Sequence, residues 1–218
     1  FYTRLVRRLV HFLTTQTASG VLYEVDTRLR PDGQSGLLVT NTEAFARYQE
    51  ENAWTWEHQA LLRARAVVGR SSIADRFAEI RYATLTAGLH DDTLRNDVKS
   101  MRQRMRDNLD RSDKQWFDLK QGSGGIGDIE FLVQYLVLAN AERHPDVIEY
   151  TDNIRQLDAL AASDILSESI AARMQDCYRD YRHRAHHLLL DEQSTRIPQD
   201  EFIDQREFVT SVWQDHLN

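Results

Sequence analysis

Residues 117–138, FDLKQGSGGIGDIEFLVQYLVL, join a short extended piece, a glycine-rich turn and the most apolar helix that the sequence predicts. The extended piece covers 117–120, and the helix begins near Asp128. Beyond that residue, apolar side chains occur on nearly every side of the predicted helix: Ile129, Phe131, Leu132, Val133, Tyr135, Leu136 and Leu138. A helix that is apolar all round must be covered by its neighbours. We therefore expect it at the centre of a helical bundle.

The segments around this helix predict the rest of the bundle. Helices are predicted at 1–17, 43–66 (broken near Asn52), 71–87, 91–111, 151–163 and 168–190, with a last helix that ends at Trp213. In 91–111, Leu94 and Val98 begin an apolar stripe at helical spacing. The charged residues of that segment, including Arg102, are interpreted as its solvated face. Ser167 is the predicted N-cap of 168–190.

Apart from the extended piece at 117–120, the predicted strands lie in the N-terminal third. Val21 to Leu29 are predicted to form a strand, residues 31–36 a turn, and 37–39 a short second strand. The predicted fold class is α+β and mostly α, a β edge followed by a helical bundle. We place the domains at 1–69 and 70–218.

Composition narrows the classes of protein. The net charge of −7 argues against nucleic-acid binding, and no apolar run approaches the roughly 18 residues of a membrane span. A single cysteine, Cys177, excludes an internal disulfide framework and fits a reducing cytosol. The chain begins without Met inside an amphipathic pattern, so we expect a fragment of a longer protein.

The stretch YEVDTRLRP, residues 23–31, has two interpretations. In a strand, Glu24, Asp26 and Arg28 share one face. That face is either simply solvated, or it is the wall of a metal–phosphate site, with carboxylates on a hard cation and guanidinium groups on phosphate.

Three further patterns leave alternatives open. The glycines after Lys120 either present backbone N–H groups to an anion or form a tight turn, and neither interpretation is favoured. Glu130 in the apolar helix needs a partner, Arg63 or Arg65, and a structural ion pair is favoured. Trp56 beside these arginines suits base stacking, although Trp54 as a core anchor with exposed arginines is favoured.

Histidine patterns give weaker predictions. His183, His186 and His187 have spacing compatible with a metal, but a polar helix face is favoured. His90-Asp91-Asp92 faintly resembles the signature of HD phosphohydrolases, and Asp91 or Asp92 serves equally well as a helix cap. Cys177 lies on an apolar stripe and is predicted to be unreactive.

Three blocks together resemble one family. GVLYEVDTRLRPDGQSGLLV, AWTWEHQALLRARAVVG and FDLKQGSGGIGDIEFLVQYLVL occur in the order found in the bacterial glutamine synthetase adenylyltransferases (glutamate–ammonia-ligase adenylyltransferases), and the similarity spans essentially the whole chain. These enzymes carry two related nucleotidyltransferase halves, one that adds AMP to glutamine synthetase and one that removes it. The forms YEVD, AWTWEH and DIEF resemble the AMP-adding half more closely.

The resemblance implies a function and partners. AMP would pass from ATP to a tyrosine hydroxyl of glutamine synthetase, with Mg²⁺, in the cytoplasm, under control by the PII signalling protein and by glutamine as effector. This multifunctional enzyme regulates nitrogen metabolism. The alternatives are the AMP-removing half, a non-catalytic helical interaction module and the HD-type hydrolase.

The resemblance also implies roles for residues. Asp26 matches one of three metal carboxylates, with Glu24 beside it, and the other two belong to a Gly-Ser-x-Asp-x-Asp stretch that these 218 residues lack. The chain alone is therefore expected not to transfer AMP. Predicted phosphate contacts are Arg28, Arg30, Arg63, Arg65 and Lys120. Predicted supporting residues are Trp56, Glu57, Gly124, Gly125, Asp128 and Glu130, the last ordering the basic cluster.

Overall fold

Helices dominate the structure, as the apolar spacing predicts. The computed structural model describes residues 1–21, 24–88 and 91–217, apart from the side chains of Asp91 and Asp92. Its helices are α1 (Tyr2–Thr14), α2 (Thr42–Glu51), α3 (Thr55–Leu62), α4 (Ser71–Leu85), α5 (Asp91–Leu109), α6 (Ile126–Asn140), α7 (Asn153–Ala162), α8 (Glu168–Leu190) and α9 (Ile203–Leu217). Short 3₁₀ helices occupy Gly33–Ser35 and Pro145–Ile148.

Helix α6 lies at the centre of the bundle, which confirms the main prediction from its composition. It contacts α3, α5, α7, α8 and α9. Ile129, Val133 and Val137 are completely buried. Since every side of α6 meets another helix, its apolar side chains form the middle of one continuous core.

A small antiparallel sheet closes one end of the bundle. Strand β1 (Trp116–Asp118) pairs with β2 (Arg196–Pro198), with Phe117 opposite Ile197. The backbone N–H of Leu119 continues the pairing to the carbonyl of Thr195 at 3.0 Å. The sheet joins the segment that precedes α6 to the segment that precedes α9. The fold class predicted from the sequence, α+β and mostly α, is confirmed.

The predicted strand at 21–29 is wrong for the residues that the structure describes. Val21 and residues 24–29 have no regular secondary structure, and Leu22 and Tyr23 lie outside the described residues. The short strand predicted at 37–39 is absent as well. A strand satisfies its backbone groups only across a neighbour, and no described segment pairs with this one.

Helix α3 anchors the N-terminal third to the bundle. Leu61 and Leu62 enter the common core, and the buried amide of Gln59 donates to Gln134 of α6 at 2.9 Å. Arg81 of α4 donates to the carbonyls of Leu61 and Leu62 at 3.1 and 2.8 Å. These bonds satisfy the end of a helix whose last carbonyls lack intrahelical partners.

The prediction that Trp54 anchors the core is wrong. Its side chain is 70% exposed, because the side chains of Leu61 and Leu62 enter the core instead. Helix α1 has no buried residue. Among the described residues, no helix is long and apolar enough to cross a membrane. The domain boundary at 69/70 stays a prediction.

Candidate functional site

The predicted metal ligand Asp26 lies against the predicted phosphate ligand Arg28. The Arg28 Nη2 atom is 2.6 Å from Asp26 Oδ2, and the Arg28 Nε–H and backbone N–H also donate to this carboxylate. Both side chains are more than half exposed. The carboxylate thus accepts from the backbone two residues further on, as in an Asx turn, so the contact between the two residues arises locally and needs no strand.

This pairing determines the charge of Asp26. The hydrogen bonds from the side chain and backbone of Arg28 lower the pKa of Asp26 to about 2. The carboxylate is fully ionised at neutral pH and suited to a hard cation. Glu24, the neighbouring predicted ligand, is exposed.

The described residues do not complete a magnesium site. None of them form a group of three or more His, Cys, Asp or Glu side chains that could hold a metal ion, and Asp26 is occupied by Arg28. A Mg²⁺ ion with near-octahedral coordination needs more oxygen ligands than Asp26 and Glu24 supply. The oxygen donors of the described residues therefore fit part of such a site.

Three predicted site residues meet at a cavity of about 340 Å³. Arg30, Glu57 and Arg63 line it, although 33 positions separate the first from the last in sequence. Its apolar wall consists of Leu29, Pro31, Phe45, Ala60, Leu61, Ala64 and Phe77. Apolar walls with a few convergent polar groups are typical of small-molecule sites. We call this the Arg30/Arg63 cavity.

The elements around the Arg30/Arg63 cavity hold its polar groups in place. The Arg30 guanidinium donates to the carbonyls of Thr27, Gln34 and Gly36, so it closes the loop that carries it. Arg63 follows α3 and donates to Asn153 Oδ1 at 3.0 Å, while its side chain stays exposed. One cation is thus fixed by its own loop, and the other is exposed and held by the side chain of Asn153.

Glu57 is the buried acid of this cavity. Its carboxylate accepts from the Tyr48 hydroxyl at 3.0 Å and from the Trp54 backbone N–H at 3.0 Å. It therefore caps the first turn of α3. Gln49, also in the cavity wall, has a buried Oε1 atom without a hydrogen-bond partner among the described residues. That acceptor is available to a donor on a bound molecule.

Other predicted residues lie elsewhere. Arg65 is exposed and lines a neighbouring cavity of about 410 Å³ with Arg81 and Tyr82. Lys120 is exposed in the turn before α6, and Trp56 is half-buried in α3. None of these three residues lines the Arg30/Arg63 cavity, so the structure does not bring all five predicted basic residues together.

The glycine turn directs its backbone N–H groups inward. Gly124 donates to Asp128 Oδ2 at 2.7 Å, Gly125 to the carbonyl of Gly122, and Gly127 to that of Lys120. Of the two interpretations of this turn, the structure shows the tight one. These N–H groups are already used by the protein.

The glycine turn contacts a buried cluster of charged side chains that the sequence analysis does not predict. Arg102, expected on a solvated face, is 1% exposed, and its Nε atom is 2.7 Å from Asp128 Oδ1. Arg106 adds a second contact to Asp128 at 2.8 Å. The signal was present: Arg102 follows Val98 by four positions, on the same apolar stripe, and Asp128 in an apolar helix required a cation.

The predicted ion pair of Glu130 with Arg63 or Arg65 is wrong. Glu130 Oε1 accepts from the Tyr178 hydroxyl at 3.0 Å, and Arg63 turns to Asn153. Glu130 is only partly buried, so a phenol suffices to satisfy it. Burial, and then the neighbouring Glu130 carboxylate, raise the pKa of Tyr178.

The histidine alternatives gain no support. His183 and His187 contact each other as rings 4.4 Å apart, and His186 contacts Arg182. They join no potential metal cluster within the described part of the chain. His90 lies outside the described residues, as do the side chains of Asp91 and Asp92, so the HD pattern is not described structurally.

Comparison with known proteins defines the class and then the family. Residues 1–80 match the family model described as glutamate-ammonia ligase adenylyltransferase, and residues 98–213 match that of GlnD PII-uridylyltransferase. Both descriptions name nucleotidyltransferases. The helical region from α5 to α9 thus resembles a region of a second nucleotidyltransferase family.

The most informative relatives are whole enzymes. The bifunctional glutamine synthetase adenylyltransferase/adenylyl-removing enzymes of Thioalkalivibrio sulfidiphilus and Nitrosococcus oceani are each 49% identical over 98% of this chain. The chain belongs to the glutamate-ammonia ligase adenylyltransferase family. It spans 22% of the length of these relatives.

Proposed function

We propose that this chain is part of the AMP-adding half of a glutamine synthetase adenylyltransferase, which moves AMP from ATP to a tyrosine hydroxyl of glutamine synthetase. The observation that carries the proposal is the Arg30/Arg63 cavity, where two cations and apolar walls converge. The relatives' names support the reaction class, and the motifs YEVD, AWTWEH and DIEF support the choice of half. Control by PII and glutamine and a cytoplasmic location belong to the same proposal.

Within this proposal, the cavity binds part of the nucleotide. Its apolar wall, where the rings of Phe45 and Phe77 stack with centroids 6.0 Å apart, suits a planar base. Arg63 is exposed, and among the described residues its guanidinium donates to Asn153 alone, so it is able to turn toward a phosphate group. Arg30 supplies a fixed positive charge. The roles of Arg65 and Lys120 as phosphate contacts rest on the resemblance alone.

Asp26 is proposed to contribute one carboxylate to Mg²⁺, with Glu24 beside it. Because the described residues do not complete such a site, we expect the chain of 218 residues to transfer no AMP by itself. Arg28 must release Asp26 when a cation binds, and its guanidinium group is then available to phosphate. ATP-dependent adenylylation by the isolated chain would refute this part.

The relatives' names also include an adenylyl-removing activity, which makes the AMP-removing half the second candidate. The two candidates differ in the substrate that the cavity receives. In AMP addition the cavity receives ATP, and in phosphorolytic removal the nucleotide arrives attached to glutamine synthetase. An Arg63 variant therefore changes different kinetic constants in the two cases.

The test uses the complete protein with Arg63→Gln. We expect the KM for ATP in AMP addition to rise about tenfold, the effect of losing one charge-assisted hydrogen bond, with AMP removal unchanged. Arg47→Gln, an exposed α2 residue outside the cavity wall, is the matched control. A change in removal alone would favour the second candidate, and equal effects of both substitutions would refute the cavity's role.

A further inference from the structure

A second cavity of about 510 Å³ lies between α5, the glycine turn and α9. It shares no lining residue with the Arg30/Arg63 cavity. Its wall consists of Lys99, Ser100, Arg102, Gln103, Arg104, Arg106, Ser123, Asp128, Thr210, Trp213 and Gln214. We call it the α5/α9 cavity.

The α5/α9 cavity is strongly cationic. Four of its lining residues are Lys or Arg and one is acidic, which leaves three positive charges, whereas the whole chain carries −7. A concave surface lined by one sign of charge concentrates ligands of the opposite sign. The charge of this cavity therefore favours an anion.

Its cations differ in how far they are already used. The Arg102 guanidinium donates to Asp128 and Gln121, and Arg106 donates to Asp128. The buried Arg106 Nε atom has no hydrogen-bond partner among the described residues. Lys99 and Arg104 have no side-chain hydrogen bond or ion pair within the described part of the chain. Arg102 and Arg106 are therefore already paired with Asp128, whereas Lys99 and Arg104 are available to a ligand.

Neutral groups complete the α5/α9 cavity. The hydroxyls of Ser123 and Thr210 and the amide of Gln214 are donors suited to phosphate oxygens. These three residues also line an adjoining cavity of about 530 Å³ that extends to Phe117 and Arg206. The partly buried indole of Trp213 gives the α5/α9 cavity one aromatic wall. The space therefore suits a molecule with a phosphate at one end and an apolar group at the other.

We propose that the α5/α9 cavity binds a small phosphate ester, with the phosphate between Lys99 and Arg104 and the organic group against Trp213. This site is separate from the proposed nucleotide cavity and requires neither AMP transfer nor Mg²⁺. Arginine and phosphate form strong charge-assisted hydrogen bonds, and lysine adds a point charge. Inorganic phosphate shares the charged part of this chemistry, so the test must separate the two.

The test is an NMR titration of the chain that follows the indole N–H signal of Trp213, without ATP or Mg²⁺. The signal is identified by its loss in Trp213→Phe, and the probes are phenyl phosphate and inorganic phosphate. We expect phenyl phosphate to bind more tightly than inorganic phosphate, since only the ester contacts the indole. Equal affinities would overturn the proposed contact between the organic group and Trp213.

Charge variants test the proposed contact between the phosphate group and the two cations. Lys99→Gln combined with Arg104→Gln is expected to weaken phenyl phosphate binding at least about tenfold. Lys114→Gln combined with Arg143→Gln removes the same charge at exposed positions outside the cavity wall and is expected to leave binding unchanged. Equal losses in the two double variants, or none in the first, would overturn the site.

Discussion

At the scale of single residues, Asp128 is a buried charge that is held by several close partners. It is 1% exposed, it accepts from Arg102 and Arg106, and it also receives the Gly124 N–H. Taking charges out of water costs several kcal/mol for each ion, and only close partners offset that cost. The cluster therefore depends on all its members.

Arg102→Met tests this dependence. The methionine keeps much of the side-chain volume but leaves Asp128 with one cation, so we expect a loss of about 3–5 kcal/mol in the free energy of unfolding. Urea unfolding followed by circular dichroism measures it. Arg104→Met, on the exposed side of the same helix, should change stability by no more than about 0.5 kcal/mol. Similar effects at the two positions would contradict the buried cluster.

Cys177 gives a pH prediction. Burial raises the pKa of its thiol to about 11, and the side chain is 2% exposed. At pH 8 only about one thiol in a thousand is ionised, so alkylation by iodoacetamide should be slow in the folded protein and rapid in urea. The stability associated with this neutral thiol is present below the pKa of the unfolded thiol and is lost as the pH rises toward 11. Fast labelling at pH 8 without unfolding would contradict the burial.

At the scale of elements, the turn into α6 is fixed by backbone packing. Gly124 has φ +79°, and a Cβ atom there would lie 2.3 Å from the carbonyl oxygen of Arg206. Neither the conformation nor the contact tolerates a side chain. The position of α9 against α6 therefore depends on this glycine.

Gly124→Ala is expected to cost about 3 kcal/mol or more, because backbone strain and a backbone clash add together. Gly33→Ala is the control, since φ is also positive (+54°) but nothing lies within 4 Å of a Cβ atom there. It should cost about 1–2 kcal/mol. Thermal unfolding of the two variants makes the comparison, and equal losses would show that the contact with α9 adds nothing.

The sequence predicts elements well where one segment contains its own signal. The spacing of Leu94 and Val98 predicts α5, Ser167 caps α8 as expected, and the apolar surround of α6 predicts its central place. Pairing between distant segments has no such local signal. The strand expected at 21–29 lacks a partner among the described residues, and the small β1/β2 sheet joins segments about 80 positions apart.

In the candidate site too, the sequence predicts single residues but not their proximity in space. Residue type and resemblance predict Arg30, Glu57 and Arg63 as site residues, but only the packing of α3 against the preceding loop and α2 shows that they share a cavity. The pattern of charges predicts the wrong face for Arg102, because a charged side chain on an amphipathic helix is usually solvated. Its position four residues after Val98 was the contrary signal.

At the scale of the whole molecule, α1 stands outside the core. Phe1, Leu5, Leu9 and Phe12 are all more than half exposed, and no α1 residue is buried. Since burial of apolar area supplies most of the stability of a helical bundle, α1 contributes little to it.

Deletion of residues 1–14 should therefore leave the Tm of the remaining chain within about 2 °C of the original. Differential scanning calorimetry measures this. Truncation of α9 at residue 203 is the contrasting variant, because Val209, Val212 and Leu217 lie in the core, and it should abolish cooperative unfolding. A large loss of Tm on deletion of α1 would contradict its independence from the bundle.

Asp26 is proposed to serve AMP addition, in the half of the enzyme to which we propose that this chain belongs. The decisive measurement is AMP addition to glutamine synthetase and AMP removal from it by the complete protein with Asp26→Asn, beside Asp32→Asn, an exposed control in the same loop. We predict that Asp26→Asn lowers addition at least about a hundredfold, as loss of several kcal/mol of charge stabilisation requires, with removal and the control unchanged. Loss of removal alone would assign the chain to the other half, and survival of both activities would contradict the role of Asp26.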